Sequence, residues 1–164
     1  MDWSPDQKFG VAAAEDIAAL TGRELLQAII DGRLPAPTIA QTMSFRLVEV
    51  GDGSCVFEGE PGPHLLNPLG GVHGGWALTL IDSVTGCAAH STLPPGVAFA
   101  SIETKANFTR PILADTGRVR AEGRVVGLGR TIISAEGKIV DARGRLLAHG
   151  TSTVMVLRPE RLAN

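Results

Sequence analysis

The stretch Asn67-Pro68-Leu69-Gly70-Gly71-Val72-His73-Gly74-Gly75-Trp76-Ala77-Leu78-Thr79-Leu80-Ile81-Asp82-Ser83-Val84-Thr85-Gly86-Cys87-Ala88-Ala89 decides the fold. Residues 61–75 are rich in Gly and Pro and read as a loop. From there Trp76, Ala77, Leu80, Ile81, Val84, Cys87 and Ala88 keep helical spacing and cover a wide arc. The spacing predicts one mostly buried helix over 75–90, closed off by Pro94-Pro95-Gly96. A helix that is apolar around most of its circumference needs a surface to wrap it, and a curved antiparallel sheet supplies one.

The flanks read as that sheet. Met43 to Val50 and Cys55 to Glu60 are β-rich runs around Gly51-Asp52-Gly53-Ser54, a hairpin signal. After the helix, Ile102, Ala106 and Phe108 are expected on one face, with Glu103, Lys105 and Asn107 on the other. Val119, Ala121 and Val125 alternate with Arg118, Arg120, Glu122 and Arg124, and Ile133, Ala135 and Ile139 alternate with Ser134, Glu136 and Lys138. Period-two alternation implies antiparallel strands with one wet face. A last strand spans about 146–157, before a polar tail. The expected class is α+β, with the helix as filling.

The first 35 residues look helical and separable. Thr21-Gly22-Arg23-Glu24 is a capping-box pattern that opens a helix of roughly 22–31, with Leu25, Leu26, Ile29 and Ile30 on one face. A second helix is expected around 11–20, and Ser4-Pro5-Asp6-Gln7 is another capping-box pattern with Pro at the first helical position. Three parts follow: a helical extension over 1–37, a domain over 38–158 and a polar tail over 159–164.

Composition narrows the function. The chain has 164 residues, with 15 basic against 17 acidic, so no bulk positive field exists to hold nucleic acid. Two cysteines, Cys55 and Cys87, cannot build a secreted disulfide framework and suit a reducing cytoplasm. The N-terminus lacks the charged-then-apolar pattern of a secretory signal. The greasy stretch Trp76 to Ala89 carries Asp82 and is too short to span a bilayer, so no membrane is expected. The four histidines and two cysteines show no metal-ligand spacing. Gly70 to Gly75 satisfies G-x-x-x-x-G, but Trp76-Ala77 stand where a phosphate-binding loop needs Lys and Ser or Thr.

Two features carry chemistry. Gly74 and Gly75 sit where the helix starts, and unpaired N–H groups and a partial positive charge gather at such a terminus. Glycines let a ligand oxygen approach that backbone, which can polarise a carbonyl and stabilise an oxyanion. Asp82 lies inside an otherwise apolar helix, where an unpaired carboxylate is costly. Gly75, Leu78, Thr79, Gly86 and Ala89 share its side, and mostly small residues there leave room for something to lie against the acid. A structural reading stands beside each: Asp82 capped by Thr79 or Thr85, and His73 as a hydrogen-bonder at the helix start.

The run Asn67…His73-Gly74-Gly75…Asp82, with Asn six residues before the His and Asp nine after it, resembles the hotdog-fold thioesterases of the PaaI type. These cleave acyl-CoA thioesters in bacterial aromatic-acid and related metabolism. Asn107-Phe108-Thr109-Arg110-Pro111 matches their strand-to-Pro segment, and the likeness covers about residues 40–157. The resemblance implies a hotdog fold, a curved sheet wrapped around one long central helix. It implies that Asp82 is the catalytic carboxylate, as base or nucleophile. The N–H of Gly74, or less so of Gly75, would polarise the thioester carbonyl. Asn67 would position water or carbonyl, His73 would support the loop, and Ser101 would assist from a neighbouring strand. Thr79 and Gly86 would line the substrate site. It further implies a homodimer with shared sites, Asn67 and Gly74 facing the partner's Asp82 and Ser101, often paired into a homotetramer. One departure matters: Gly86 stands where relatives of the 4-hydroxybenzoyl-CoA branch, which use Glu as the acid, carry a Thr.

An acyl-CoA thioesterase acting on aryl or medium-chain acyl groups is therefore expected. It needs no cofactor, since coenzyme A is part of the substrate. The CoA phosphates need cations, for which Arg130 and Arg110 are candidates, with Arg143 beside them. An acyl-CoA-binding module and a hotdog hydratase or dehydratase are the alternatives. Trp76, Leu78 and Phe99 are expected to shape the pocket.

Overall fold

The computed structural model describes residues 1, 3, 4 and 6–158. Four helices, α1 (Ala14–Ile17), α2 (Gly22–Ile30), α3 (Thr38–Thr42) and α4 (Gly74–His90), accompany six strands. The strands are β1 (Phe45–Gly51), β2 (Ser54–Gly59), β3 (Ala98–Phe108), β4 (Val119–Leu128), β5 (Ile132–Val140) and β6 (Leu146–Leu157). They form one antiparallel sheet in the order β1-β2-β4-β5-β6-β3, which curls around α4. The chain has the α+β architecture expected from the apolar helix and the strand pattern, and the hotdog fold that the resemblance implies.

Helix α4 is the centre of the core. Trp76, Leu80, Ile81, Val84 and Ala88 are buried against Phe45, Phe57, Val119, Ala121, Ile139 and Leu147 from the sheet. Each such aliphatic or aromatic side chain contributes roughly 1.5–3 kcal/mol by leaving water. The sheet can come this close because its middle is almost bare. Gly123 pairs with Cys55 and Gly137, Gly137 pairs with Gly150, and Gly150 pairs with Ala106. This row of small residues runs across five strands directly beneath Ile81, Val84 and Thr85. A Cβ on Gly123 would stand 2.8 Å from Val84 Cβ, and one on Gly137 would stand 2.9 Å from Val84 Cγ2.

The outer face of the sheet carries ion pairs across strands. Arg46 bonds Glu58, Arg120 bridges Glu49 and Glu122, Lys138 reaches Glu122, and Arg124 pairs with Glu136. This is the wet face that the alternation of β4 and β5 predicts. The turn between β1 and β2 uses Gly53 at φ +67°, a conformation costly for any residue with a Cβ.

The amino-terminal segment differs in part from expectation. The capping box at Thr21 forms: Glu24 N–H donates to Thr21 Oγ1 at 3.2 Å, and Thr21 N–H donates to Glu24 Oε2 at 2.8 Å. Helix α2 docks on β1, and Gly22 lies against the backbone of His90 at the end of α4. The helix expected over 11–20 shrinks to the single turn α1, because Ala13 offers no capping side chain and none of its residues is buried. No helix starts at Ser4. Gln7 N–H donates to Ser4 O in a turn, and the Gln7 side chain bonds Lys8 O instead of closing a box. Pro5 lies outside the described residues. Among the described residues no helix is long and apolar enough to cross a membrane.

Candidate active site

Asp82 projects from the middle of α4 toward β3 and is half-buried. Its Oδ1 accepts from Ser101 Oγ at 2.9 Å and from Thr104 Oγ1 at 2.6 Å. Hydroxyls that donate to a carboxylate offset the cost of taking it from water. Thr79 and Thr85 do not cap it. Thr79 Oγ1 donates to Gly75 O, and Thr85 Oγ1 donates to the backbone carbonyls of Ile81 and Asp82.

Two residues three apart on a strand normally point to opposite faces. Ser101 and Thr104 share one because β3 bulges between them. Ser101 pairs with Val154 and Glu103 pairs with Thr153, so Ile102 has no partner. The expected grouping of Ile102 with Ala106 and Phe108 is thereby broken. Ile102 is more than half exposed, while Thr104 takes its place on the helix-facing side. Thr104, absent from the sequence-derived set, belongs beside Asp82. Behind it lies Ser152, buried, 3.0 Å from Thr104 Oγ1 and donating to Glu103 O. The hydroxyl-rich register Thr104↔Ser152 was the available signal, but it becomes readable only once the bulge is known.

The start of α4 is held by the loop before it. His73 is the N-cap, and its Nδ1 accepts from Gly75 N–H at 2.9 Å. Trp76 N–H donates to His73 O. Among the described residues nothing accepts from Gly74 N–H, so the helix terminus presents that donor unpaired, while Gly75's is engaged. A Cβ on Gly74 would stand 3.2 Å from the exposed Phe108 ring and would push that aromatic aside by a few tenths of an ångström. Asn67 Oδ1 accepts from Leu69 N–H at 2.9 Å and Gly71 N–H at 3.3 Å, which folds the turn ahead of His73. Its amide NH2 makes no hydrogen bond among the described residues.

The small-residue side of α4 is partly filled by β3. The Phe99 ring lies over Gly86, where a Cβ would stand 3.0 Å away, and Ala89 is fully buried. Gly75, Thr79 and Asp82 stay partly exposed on that side. Trp76 does not shape a pocket: it is 1% exposed in the core, its Nε1 donating to Met43 O at 2.7 Å. Leu78 is exposed.

The two arginines expected to hold CoA phosphates do not meet in one chain. Arg110 follows the end of β3, where its Nη1 donates to Leu146 O at 2.7 Å. Arg130 lies in the β4–β5 hairpin, whose Thr131 O accepts from Val156, opposite Phe99 near the other end of β3. About ten strand residues separate the two places, roughly 33 Å. Arg143 sits near Arg110, lining the same surface concavity of about 480 Å³.

The thiols are poor nucleophile candidates. Cys55 is buried, and its Sγ donates to Val84 O at 3.1 Å. The neighbouring Cys87 thiol and burial push its pKa up, away from the thiolate. At the far end of α4, burial lowers the pKa of His90 and favours its neutral form.

Asp82 and Gly74 are eight residues apart on one helix, about 12 Å along its axis. A base and an oxyanion donor must each lie about 3 Å from one reacting group. One chain therefore does not bring them to the same carbonyl. The open half of the site adjoins exposed apolar groups: Phe108 and Ile102 on edge strand β3, Leu78 on α4, and Leu69 and Leu113 beside its start.

Residues 69–148 match the model of the Thioesterase superfamily. A candidate esterase of Halobacterium salinarum is 35% identical over 97 residues, 56% of this chain and 64% of that protein. The chain thus matches less than two thirds of that relative's length. Among solved structures, a candidate thioesterase from Ralstonia eutropha described as phenylacetic acid degradation-related superposes with a TM-score of 0.72 at 28% identity, covering 79% of this chain and 98% of that one. A Streptococcus mutans protein solved with acetyl CoA bound superposes with a TM-score of 0.64 at 25% identity, covering 70% of this chain and 90% of that one.

Proposed function

We propose that this chain, which carries a Thioesterase superfamily domain in a hotdog fold, hydrolyses an acyl-CoA thioester to free acid and coenzyme A. The observation that carries the reading is Asp82: a half-buried carboxylate held on a helix by the hydroxyls of Ser101 and Thr104. Its Oδ2 is left for a water or a thioester carbon. Gly74 N–H, unpaired at the start of α4, is suited to accept the charge that develops on the carbonyl oxygen. Thioester hydrolysis needs these two functions and no redox or metal chemistry from a cofactor.

Because about 12 Å of helix separates the two groups, we assign them to different copies of the chain. Gly74 and Asn67 of one protomer face Asp82 and Ser101 of another, and the second copy covers Phe108, Ile102 and Leu78. The minimum assembly is a homodimer, and pairing of dimers gives a homotetramer. Phe108 beside Gly74 and the phenylacetic acid link of the Ralstonia eutropha neighbour favour an aryl or medium-chain acyl group. The acetyl CoA in the Streptococcus mutans neighbour supports coenzyme A as the carrier. In this reading Asn67 offers its free amide NH2 to the water or carbonyl, and His73 fixes the helix start. Arg110 and Arg130 meet the CoA phosphates from different protomers. The free cysteines suit a reducing cytoplasm.

Mass analysis of products from phenylacetyl-, hydroxybenzoyl- and straight-chain acyl-CoAs tests the reading. Free CoA plus acid is the expected result. A gain or loss of one water on an intact thioester would assign a hydratase or dehydratase, and tight binding without turnover would assign a binding module.

A further inference from the structure

A second cavity lies beneath the amino-terminal segment, away from the candidate active site. Its volume is about 300 Å³, at the small end for ligand sites. Trp3 lines it, together with Leu26, Ile29 and Ile30 of α2 and with Phe57 and Cys87. Cys87 is five residues beyond Asp82, about 140° around α4, so the cavity opens on another side of that helix. None of the residues assigned to the candidate active site lines it.

One polar group there lacks a partner. Arg46 lines the cavity, and its Nε is buried with no acceptor among the described residues. Buried donors are rarely left so, because the lost contact with water is not replaced. The fork of the same guanidinium is satisfied elsewhere: its Nη2 donates to Glu58 Oε2 at 2.9 Å. Glu58 also pairs with Arg118 at 3.4 Å, so two guanidinium groups share one carboxylate. The other nearby acid, Glu60, is paired with the Met1 amine at 2.8 Å. The cavity therefore combines apolar walls with a buried N–H donor that has no acceptor among the described residues. Ser4 and Gln7 at the rim add hydroxyl and amide groups.

We infer that this cavity binds a small apolar carboxylic acid, its tail between α2 and Phe57 and its carboxylate on Arg46 Nε. A carboxylate satisfies the donor with a charge-assisted hydrogen bond, which a neutral alcohol does not. The site is separate from Asp82, and the inference does not depend on the thioesterase reading. It also gives α2 a role, as one wall of a ligand site.

The test is direct binding, with no turnover involved. Octanoate and phenylacetate are titrated into the protein by calorimetry, with octanol as the uncharged control. Emission from Trp3 is followed in parallel, with Trp3→Phe identifying its signal against the buried Trp76. Binding of octanoate or phenylacetate with a change in Trp3 emission is expected, at least tenfold tighter than octanol. Arg46→Lys keeps the charge next to Glu58 but removes the Nε–H, and is expected to weaken the acid about tenfold. Ile29→Trp fills the cavity and is expected to weaken it at least as much. No binding of either acid at millimolar concentration overturns the inference. So does binding that Arg46→Lys leaves unchanged, or binding matched by octanol. A failure of Ile29→Trp to fold leaves Arg46→Lys to decide.

Discussion

The row of glycines beneath α4 makes a strong prediction about how the helix is seated. Gly123→Ala would place a methyl group 2.5 Å from the Val84 carbonyl carbon and 2.8 Å from Val84 Cβ. Ordinary carbon contacts begin near 3.5 Å. The obstacle is helix backbone, so no side-chain rotation relieves it, and α4 or β4 must move by about 1 Å. Inserting one carbon into a packed core costs about 1–3 kcal/mol, and a backbone obstacle puts this case near 3. Alanine's smaller backbone entropy loss returns roughly 0.5–1 kcal/mol. The net loss of about 2–2.5 kcal/mol corresponds to a fall of roughly 4–10 °C in Tm for a chain of this length. Gly137→Ala crowds side-chain carbons, Val84 Cγ2 at 2.9 Å and Thr85 Cγ2 at 3.3 Å, with Glu122 O at an ordinary 3.5 Å, and should cost about 1 kcal/mol. Gly127→Ala meets Ser134 Cβ at 3.7 Å, an ordinary contact, and serves as the control. Thermal melts followed by circular dichroism rank the three. A Gly123→Ala protein melting within 1 °C of wild type, or no lower than Gly127→Ala, would refute the seating of the helix.

Three further outcomes follow from the site and its surroundings. Thr104→Val removes one of two hydroxyl donors to Asp82, and a hydrogen bond to a charged group is worth about 1.5–3 kcal/mol; kcat/KM should fall about tenfold or more, with Thr104→Ser restoring most of it. His73→Ala removes the acceptor for Gly75 N–H and should lower stability by about 1 kcal/mol, read as a shift in the urea midpoint. Burial holds the folded-state pKa of His90 below its ordinary 6.5, so the unfolded chain binds the extra proton first. Stability is full above about pH 6.5 and declines as the pH falls through the folded value, and urea midpoints between pH 7 and 5 should decline less in His90→Asn.

The sequence showed the central helix because Trp76, Leu80, Ile81, Val84 and Ala88 leave almost no polar face, and one acid in their midst drew attention to Asp82. The strands followed from simple alternation wherever one face is wet, as in β4 and β5. Alternation failed on β3, where the bulge at Ile102 shifts the pattern by one residue and hides Thr104. A bulge is a feature of pairing, and its partner strand lies some fifty residues away. The glycines at 123, 137 and 150 read individually as weak points in strands. Only the register shows them as one row under the helix. The extent of α1 depended on packing that local pattern does not contain. Arg110 and Arg130 looked equivalent in a linear chain, although the sheet sets them at opposite ends of β3. The distance between Gly74 and Asp82 was legible from helical rise alone.

The most direct test of the central claim is release of CoA thiol by wild type and Asp82→Ala, on whichever panel substrate wild type turns over fastest. The account predicts that a folded Asp82→Ala protein, melting close to wild type, loses activity by about three orders of magnitude or more, as expected when a base or nucleophile is removed. A folded Asp82→Ala enzyme that keeps kcat within tenfold of wild type would contradict it.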